Sequence, residues 1–269
     1  MMRVTSLASG SSGNATLIET DGGALLVDCG LPQRAIERAL RRTGLAPADL
    51  RAILLTHEHG DHTLSAGPFA RRHRLPVVAN RPTARVLAPS LAGVEVLELE
   101  TGGALALGGA LVRSFPVPHD ATAPVGYLIE ASGWRVGLAV DLGSWDDAVL
   151  AGLAPADLVI LEANHDRERL RLAPYDRQVK QRIFSRLGHL DNLDAGALLA
   201  RLGTDGRRRT AWLAHLSEQA NTPQIAVRAV QSVLHLADVR CISVSALPRR
   251  APCCWESERH MVQATLFGL

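Results

Sequence analysis

Residues 56–62 read Thr56-His57-Glu58-His59-Gly60-Asp61-His62, which puts five side chains able to bind a metal ion within six consecutive positions. No other stretch constrains the fold as strongly. An apolar strand pattern at residues 52–55 must end at this run, and a helical pattern at residues 64–72 must leave it. Imidazole and carboxylate suit borderline and hard divalent ions, and residues two apart in an extended loop project to the same side. His57 and His59 can thus grip one ion, Asp61 and His62 at the helix start can reach a second, and Glu58 points away. Histidines clustered at a strand end usually belong to a site rather than to a solvated loop.

The rest of the chain repeats the same grammar. Short apolar runs at residues 4–8, 15–19, 24–27 and 52–55 read as strands, and residues 32–42 as a helix with Pro32 in its first turn and Gly44 at its exit. Residues 64–72 and 83–87 read as helices around a short strand at 77–79. Residues 94–97, 111–115, 126–131 and 135–140 suggest a meander that turns at Ala131-Ser132-Gly133-Trp134 and whose last strand ends at Asp141. After a buried strand at 158–161 come roughly fifty mostly helical residues, in which Val179, Ile183 and Leu187 recur at helical spacing. Asp194 reads as the cap of a helix at 195–202, and residues 210–214 as strand. Thr222 and Pro223 open a helix to about Leu236, with Ile225, Ala229, Val233 and Leu236 on one face, and residues 239–244 form a last strand. No element is assigned to residues 247–258. Two halves of strand-then-helix order suit two sheets packed face to face with helices outside, an α/β four-layer αββα sandwich. A chain of 269 residues fits one such domain spanning 1–269.

Composition narrows the functional classes. At 47% hydrophobic and 21% charged residues the chain is neither disordered, collagen-like nor a coiled coil. No apolar run approaches the ~18 residues of a membrane span, and the early polar residues Thr5 and Ser6 leave no signal-peptide core, which points to the cytoplasm. Cys29, Cys241, Cys253 and Cys254 lack the two-residue gap of a zinc knuckle and are read as reduced thiols. A net charge of +2 makes no global case for a nucleic-acid partner. Locally, Arg167, Arg169, Arg171, Arg177, Arg182 and Arg186 with Lys180 form a positive stretch suited to a nucleic-acid backbone, diluted by Asp166, Glu168 and Asp176. Arg207-Arg208-Arg209 reads as a solvated loop, and His73, His235 and His260 as surface or structural residues. Only 4% aromatic residues argues against a platform that stacks several bases.

The His-x-His-x-Asp-His pattern of residues 57–62 after a core strand resembles the metallo-β-lactamase superfamily, and the resemblance covers almost the whole chain. It implies three further ligands: His119 in Val117-Pro118-His119-Asp120, Asp141 in Ala139-Val140-Asp141-Leu142-Gly143, and His215 in Leu213-Ala214-His215-Leu216-Ser217, with His189 as a rival to His215. Asp28 in Leu26-Val27-Asp28-Cys29-Gly30 matches the buried aspartate that orients the metal loop. Aspartate rather than cysteine at 141, together with His62, is similar to the dinuclear hydrolase branch rather than to the common dizinc β-lactamases. Ser9-Gly10-Ser11-Ser12-Gly13-Asn14, Glu162-Ala163-Asn164-His165-Asp166, Gly188-His189-Leu190-Asp191-Asn192 and the run from His215 to Pro223 resemble the YycJ (WalJ) type of metal-dependent exonuclease, with Asp191 where that type has serine.

The resemblance implies two divalent metal ions, Zn²⁺ or Mn²⁺ with Fe²⁺ also admitted, His57, His59 and His119 on one, Asp61, His62 and His215 on the other, and Asp141 bridging. It implies a 5′ to 3′ exonuclease on DNA ends, RNA being a further option, in which a metal-bridging hydroxide attacks the phosphodiester. Asp61, Asn164, His165 and His189 carry the catalytic expectation: Asn164, His165 and His189 as phosphate or leaving-group contacts, His189 as proton donor, or all three as groups that only orient ligands. The Ser9-to-Asn14 loop either donates backbone N–H groups to a phosphate or is a plain turn. The alternatives are a small-molecule hydrolase of the same fold (cyclic phosphodiesterase, lactonase or thioesterase) and a non-catalytic metal-binding protein.

Overall fold

In the computed structural model, which describes residues 1–257, successive strand residues face different cores. Leu25 and Val27 pack into a central core while Ala24 and Leu26 pack into an outer one; later, Leu158 and Ile160 enter the same central core while Val159 and Leu161 enter a second outer one. Strands apolar on both faces require cover on both. The solution is two stacked sheets with helices outside each, the αββα sandwich read from the sequence.

The first sheet holds β1 (Arg3–Ala8), β2 (Ala15–Thr20), β3 (Gly23–Val27), β4 (Leu50–Leu54), β5 (Val77–Ala79) and β6 (Val96–Glu98). The second runs in sequence order through β7 (Ala104–Leu107), β8 (Ala110–Pro116), β9 (Val125–Ala131), β10 (Trp134–Ala139), β11 (Leu158–Glu162), β12 (Arg209–Ala214) and β13 (Ile242–Ala246). The chain then returns to the first sheet, where β14 (Cys253–Glu256) pairs antiparallel with β1. Helices α1 (Gln33–Thr43), α2 (Gly60–Thr63), α3 (Ala66–His73) and α4 (Arg81–Leu87) accompany the first sheet. Helices α5 (Asp147–Leu153), α6 (Arg167–Leu172), α7 (Arg177–Ile183), α8 (Asn192–Leu202) and α9 (Pro223–Leu236) accompany the second. Ile36, Leu40 and Phe69 seal one outer core; Val149, Leu153, Leu198, Leu199, Val230 and Leu234 seal the other. No helix among the described residues is long and apolar enough to cross a membrane.

Several elements differ from the sequence reading. Residues 96–98 pair parallel with β5 rather than joining the meander, whose first hairpin is instead β7–β8, turned by Gly108 and Gly109 in left-handed conformation. Helix α5 was not foreseen; the Asp146 carboxylate caps it by accepting from the N–H groups of Ala148 and Val149. Strand β10 stops at Ala139, short of Asp141, and the last strand of the second sheet spans 242–246 rather than 239–244. Helix α7 ends at Ile183, which leaves Leu187 outside it. Helix α8 is capped by Asp191, not Asp194. Helix α9 begins with the expected Thr222 cap, but buries Ala226, Val230 and Leu234 and exposes Leu236. Arg209 is buried, bonded to Asp205 and to the carbonyls of Leu202 and Ala154, and is not a loop residue. The segment left without an element contains β14; Glu258 and His260 lie outside the described residues. The four thiols are free.

Candidate metal centre

Strands β3, β4, β8, β10 and β12 end at one edge of the sandwich, the position where parallel strands of α/β folds present their sites. His57, His59, Asp61 and His62 follow β4, His119 follows β8, Asp141 follows β10 and His215 follows β12. The structure brings all seven together. The ligating atoms of His57, His59, His119 and Asp141 lie within 4.8 Å of one another, as do those of Asp61, His62, Asp141 and His215. Asp141 belongs to both groups: its Oδ2 is 2.8 Å from His62 Nε2 and 3.5 Å from His57 Nε2, and its Oδ1 is 2.9 Å from His215 Nδ1. Asp61 Oδ2 stands 3.6 Å from Nε2 of both His62 and His215.

The local backbone explains how side chains leave the strands toward the seam. Asp28, Asp141 and His215 have φ of 61°, 58° and 53°, a left-handed conformation that turns the chain within two residues of a strand end. Asp, Asn and His are the non-glycine types most tolerant of it. Gly30 is required for a different reason: a Cβ there would lie 1.6 Å from the Asp61 carbonyl oxygen, so only glycine lets the metal loop close onto the exit of β3.

Groups behind the ligands hold them in place. The Asp28 carboxylate accepts from Thr56 N–H at 2.9 Å, from Thr56 Oγ1 at 3.0 Å, and lies 2.7 Å from His62 Nδ1, which leaves His62 Nε2 facing the cluster. His119 Nδ1 is 3.0 Å from the Gly188 carbonyl, which frees its Nε2 in the same way. Ser9 Oγ accepts from His215 N–H, and Asn164 Nδ2 donates to the His215 carbonyl at 2.8 Å. Glu58 points away, as expected, and accepts from Thr122 N–H and Oγ1. Tyr127 Oη of β9 donates to the Leu55 carbonyl at 2.6 Å and so ties the second sheet to the metal loop of the first.

Sequence reasoning placed Glu162 in a family motif but gave it no role. Fully buried at the end of β11, it lies 2.8 Å from His189 Nδ1 and 3.0 Å from His215 Nδ1, and its other oxygen accepts from Leu142 N–H. The signal was an acidic residue closing an otherwise apolar run, 158–161. Of the rivals His215 and His189, only His215 groups with Asp61, His62 and Asp141; the ligating atom of His189 groups instead with those of Asp141, Glu162 and His215, its ring stacked on His215 at 5.2 Å and its Nδ1 on Glu162.

Burial dominates the electrostatics and pushes His57 well below the ordinary histidine range. Burial acts the same way on His62, but the carboxylates of Asp28 and Asp141 outweigh it and raise that imidazole to about 10. Glu162 likewise outweighs the burial of His189 and raises its pKa. Nε2 of His57 and of His215 are buried with no hydrogen-bond partner among the described residues. Such orphaned nitrogens are costly in a dry site unless a metal ion takes their lone pairs. Imidazole and carboxylate donors without thiolate fit divalent metal ions.

The remaining residues singled out in the sequence lie around the cluster and beyond it. His165 lies outside the metal-binding groups, with its ring edge-on to Phe184 at 5.4 Å; neither ring nitrogen has a hydrogen-bond partner among the described residues, and burial lowers its pKa to about 4. The Ser9-to-Asn14 loop is a turn closed on itself: Gly13 N–H donates to the Gly10 carbonyl, Gly10 N–H to Asn14 Oδ1, and Asn14 N–H to the Asp61 carbonyl. In the arginine stretch, Arg167 is held by Asp191 and Asp194, Arg171 by Glu168 and Arg182 by Asp120. His73 pairs with Glu37 and packs on Phe69, as befits a structural histidine.

Residues 24–216 match the family model described as the Beta-lactamase superfamily domain. Among solved structures, the metallo-β-lactamase fold protein YhfI from Bacillus subtilis has a TM-score of 0.71 at 20% identity, over 95% of this chain and 100% of that one. Fold, site and family model together define a metal-dependent hydrolase of the metallo-β-lactamase superfamily. The exodeoxyribonuclease YycJ of Bacillus anthracis is 36% identical over 231 residues, 85% of this chain and 87% of that protein. The exodeoxyribonuclease WalJ of Streptococcus pneumoniae serotype 2 (strain D39 / NCTC 7466) is 38% identical over 239 residues, 87% and 88%. Within the superfamily, the chain belongs to the YycJ/WalJ family.

Proposed function

We propose that this protein is a dinuclear metal-dependent phosphodiesterase that degrades DNA from 5′ ends, folded as one domain over residues 1–269. The observation that carries this reading is the presence of Asp141 in both ligand groups, because a shared carboxylate is what two ions held side by side need. Exodeoxyribonuclease relatives at 36% and 38% identity support the substrate class. His57, His59 and His119 would hold one ion and Asp61, His62 and His215 the other, the ions being Zn²⁺, Mn²⁺ or Fe²⁺. When bound, such ions supply Lewis acidity toward a phosphoryl oxygen and lower the pKa of water. Four free thiols support a reducing compartment, the cytoplasm.

The chain's own groups divide the remaining work. Asp28 fixes the His62 tautomer, and Glu162 and Asn164 fix His215 from two sides. His189, kept protonated by the Glu162 carboxylate against its Nδ1, donates its Nε2 proton to the departing oxygen. Asn164, with its amide committed to His215, orients a ligand rather than binding phosphate. His165, neutral at physiological pH because of its burial, shapes the wall beside Phe184 and does not clamp phosphate by charge.

The test is incubation of Mn²⁺-loaded protein with 5′-phosphorylated DNA. Mononucleotide release is expected, and its loss in Asp61→Ala. Turnover of bis(p-nitrophenyl) phosphate with no action on DNA would instead favour a small-diester hydrolase.

A further inference from the structure

On the outer face of the first sheet, between α1 and the segment 249–256, lies a groove of about 730 Å³. Its floor is apolar or neutral, formed by Thr5, Leu7, Leu31 and Ala39, while Arg3, Arg38, Arg42, Arg249 and Arg250 line it with a single carboxylate, Glu256. Two of these guanidinium groups have structural duties. Arg3 pairs with Glu19 and with Glu256, and Arg249 donates to the carbonyls of Leu216 and Ser217 directly behind His215. Arg250 reaches Glu218 only at 3.7 Å, on an exposed surface. Arg38 and Arg42 are exposed and have no carboxylate partner among the described residues; the acid on their helix, Glu37, is engaged by Arg72 and His73.

The groove also shares a wall with the metal centre. Ser12 lines it, on the same turn whose Ser9 holds His215 and whose Asn14 lies against Asp61 and His62. We propose that this groove holds the sugar–phosphate backbone of the nucleic acid strand whose terminal phosphodiester lies at the metal centre. The proposal rests on the function proposed for that centre and adds the path of the strand. Arg38 and Arg42, one helical turn apart along α1 at about 6 Å, are spaced like successive phosphates of a strand. The apolar floor accepts the sugars between them. A polyanion fits because the lining is positive with one acid, already paired, and because an exposed, unpaired arginine binds phosphate without breaking an existing ion pair. Arg167, Arg171 and Arg182, already bound to carboxylates, offer no such vacancy.

The experiment measures binding of a 5′-phosphorylated phosphorothioate DNA to metal-loaded full chain across salt concentrations, alongside turnover of bis(p-nitrophenyl) phosphate. Arg38→Ala/Arg42→Ala is expected to weaken DNA binding about tenfold and to reduce the salt slope by about 1.4 to 1.8, the value for two lost phosphate contacts, with the small diester turned over as before. Arg38→Lys/Arg42→Lys is expected to restore most of the affinity and the slope. Arg201→Ala/Arg208→Ala removes the same charge from exposed positions on the second sheet's side and is expected to leave binding within twofold. Equal losses in both alanine pairs, or an unchanged slope in the groove pair, would overturn the proposal. If the wild type binds DNA through the groove but never cleaves it, the functional reading fails and the groove stands; if it binds no DNA, the groove proposal fails.

Discussion

Asp28, Asp141 and His215 each occupy a left-handed backbone position within two residues of a strand end, where a strained conformation costs on the order of 1–3 kcal/mol and persists only because its surroundings hold it. For Asp28 the return is control of His62. Asp28→Asn preserves the shape but loses the carboxylate that accepts from His62, and is expected to lower metal affinity by about 10- to 100-fold, read by chelator competition. Glu162 makes a separate prediction through pH. In the role proposed for it His189 must be protonated to act as donor, so activity is expected to fall as pH rises through a pKa that Glu162 raises. Glu162→Gln removes that influence and is expected to shift the alkaline limb of the kcat–pH profile to lower pH; a limb that stays in place would assign the proton to another group. The seven proposed ligands were legible because they lie shortly beyond apolar runs, four of them within residues 57–62, and match family motifs. Glu162 was not, because an acid at a strand end looks solvated until the 188–190 segment folds over it.

At the scale of elements, what could be read depended on whether the determinant was local. Thr222-Pro223 and Pro32 with Gly44 marked helix ends correctly because caps act within a few residues. Strand β14 escaped notice because Cys253–Glu256 lies beside Pro252 and gains its partner, β1, only through pairing across almost the whole chain, Thr5 opposite Cys254. Helix α8 shows how a departure from family pattern can be neutral. Asp191 accepts from the N–H groups of Leu193 and Asp194, a capping role that serine fills equally well, and also binds Arg167. Asp191→Ala is expected to cost about 1–2 kcal/mol in urea unfolding, and Asp191→Ser only a few tenths of that order. A similar loss in both would remove the cap from the explanation.

Considered as a whole, the molecule divides its proposed ligands between sheets: His57, His59, Asp61 and His62 on the first, His119, Asp141 and His215 on the second. Metal held by both should therefore stabilise the packing of one sheet on the other. Free ion at 100 times its Kd adds about 2.7 kcal/mol, so exhaustive chelation is expected to lower Tm by several degrees and re-addition to restore it. An unchanged Tm would mean that the folded state binds no ion in preference to the unfolded one. The location of the proposed ligands, on strand exits and on α2 just beyond β4, separates reactivity from recognition. Loops beyond those positions can lengthen, shorten or change character over evolutionary time while the reactive centre stays anchored to the β-scaffold. Descendants of such a chain can acquire new specificities by remodelling the rim alone.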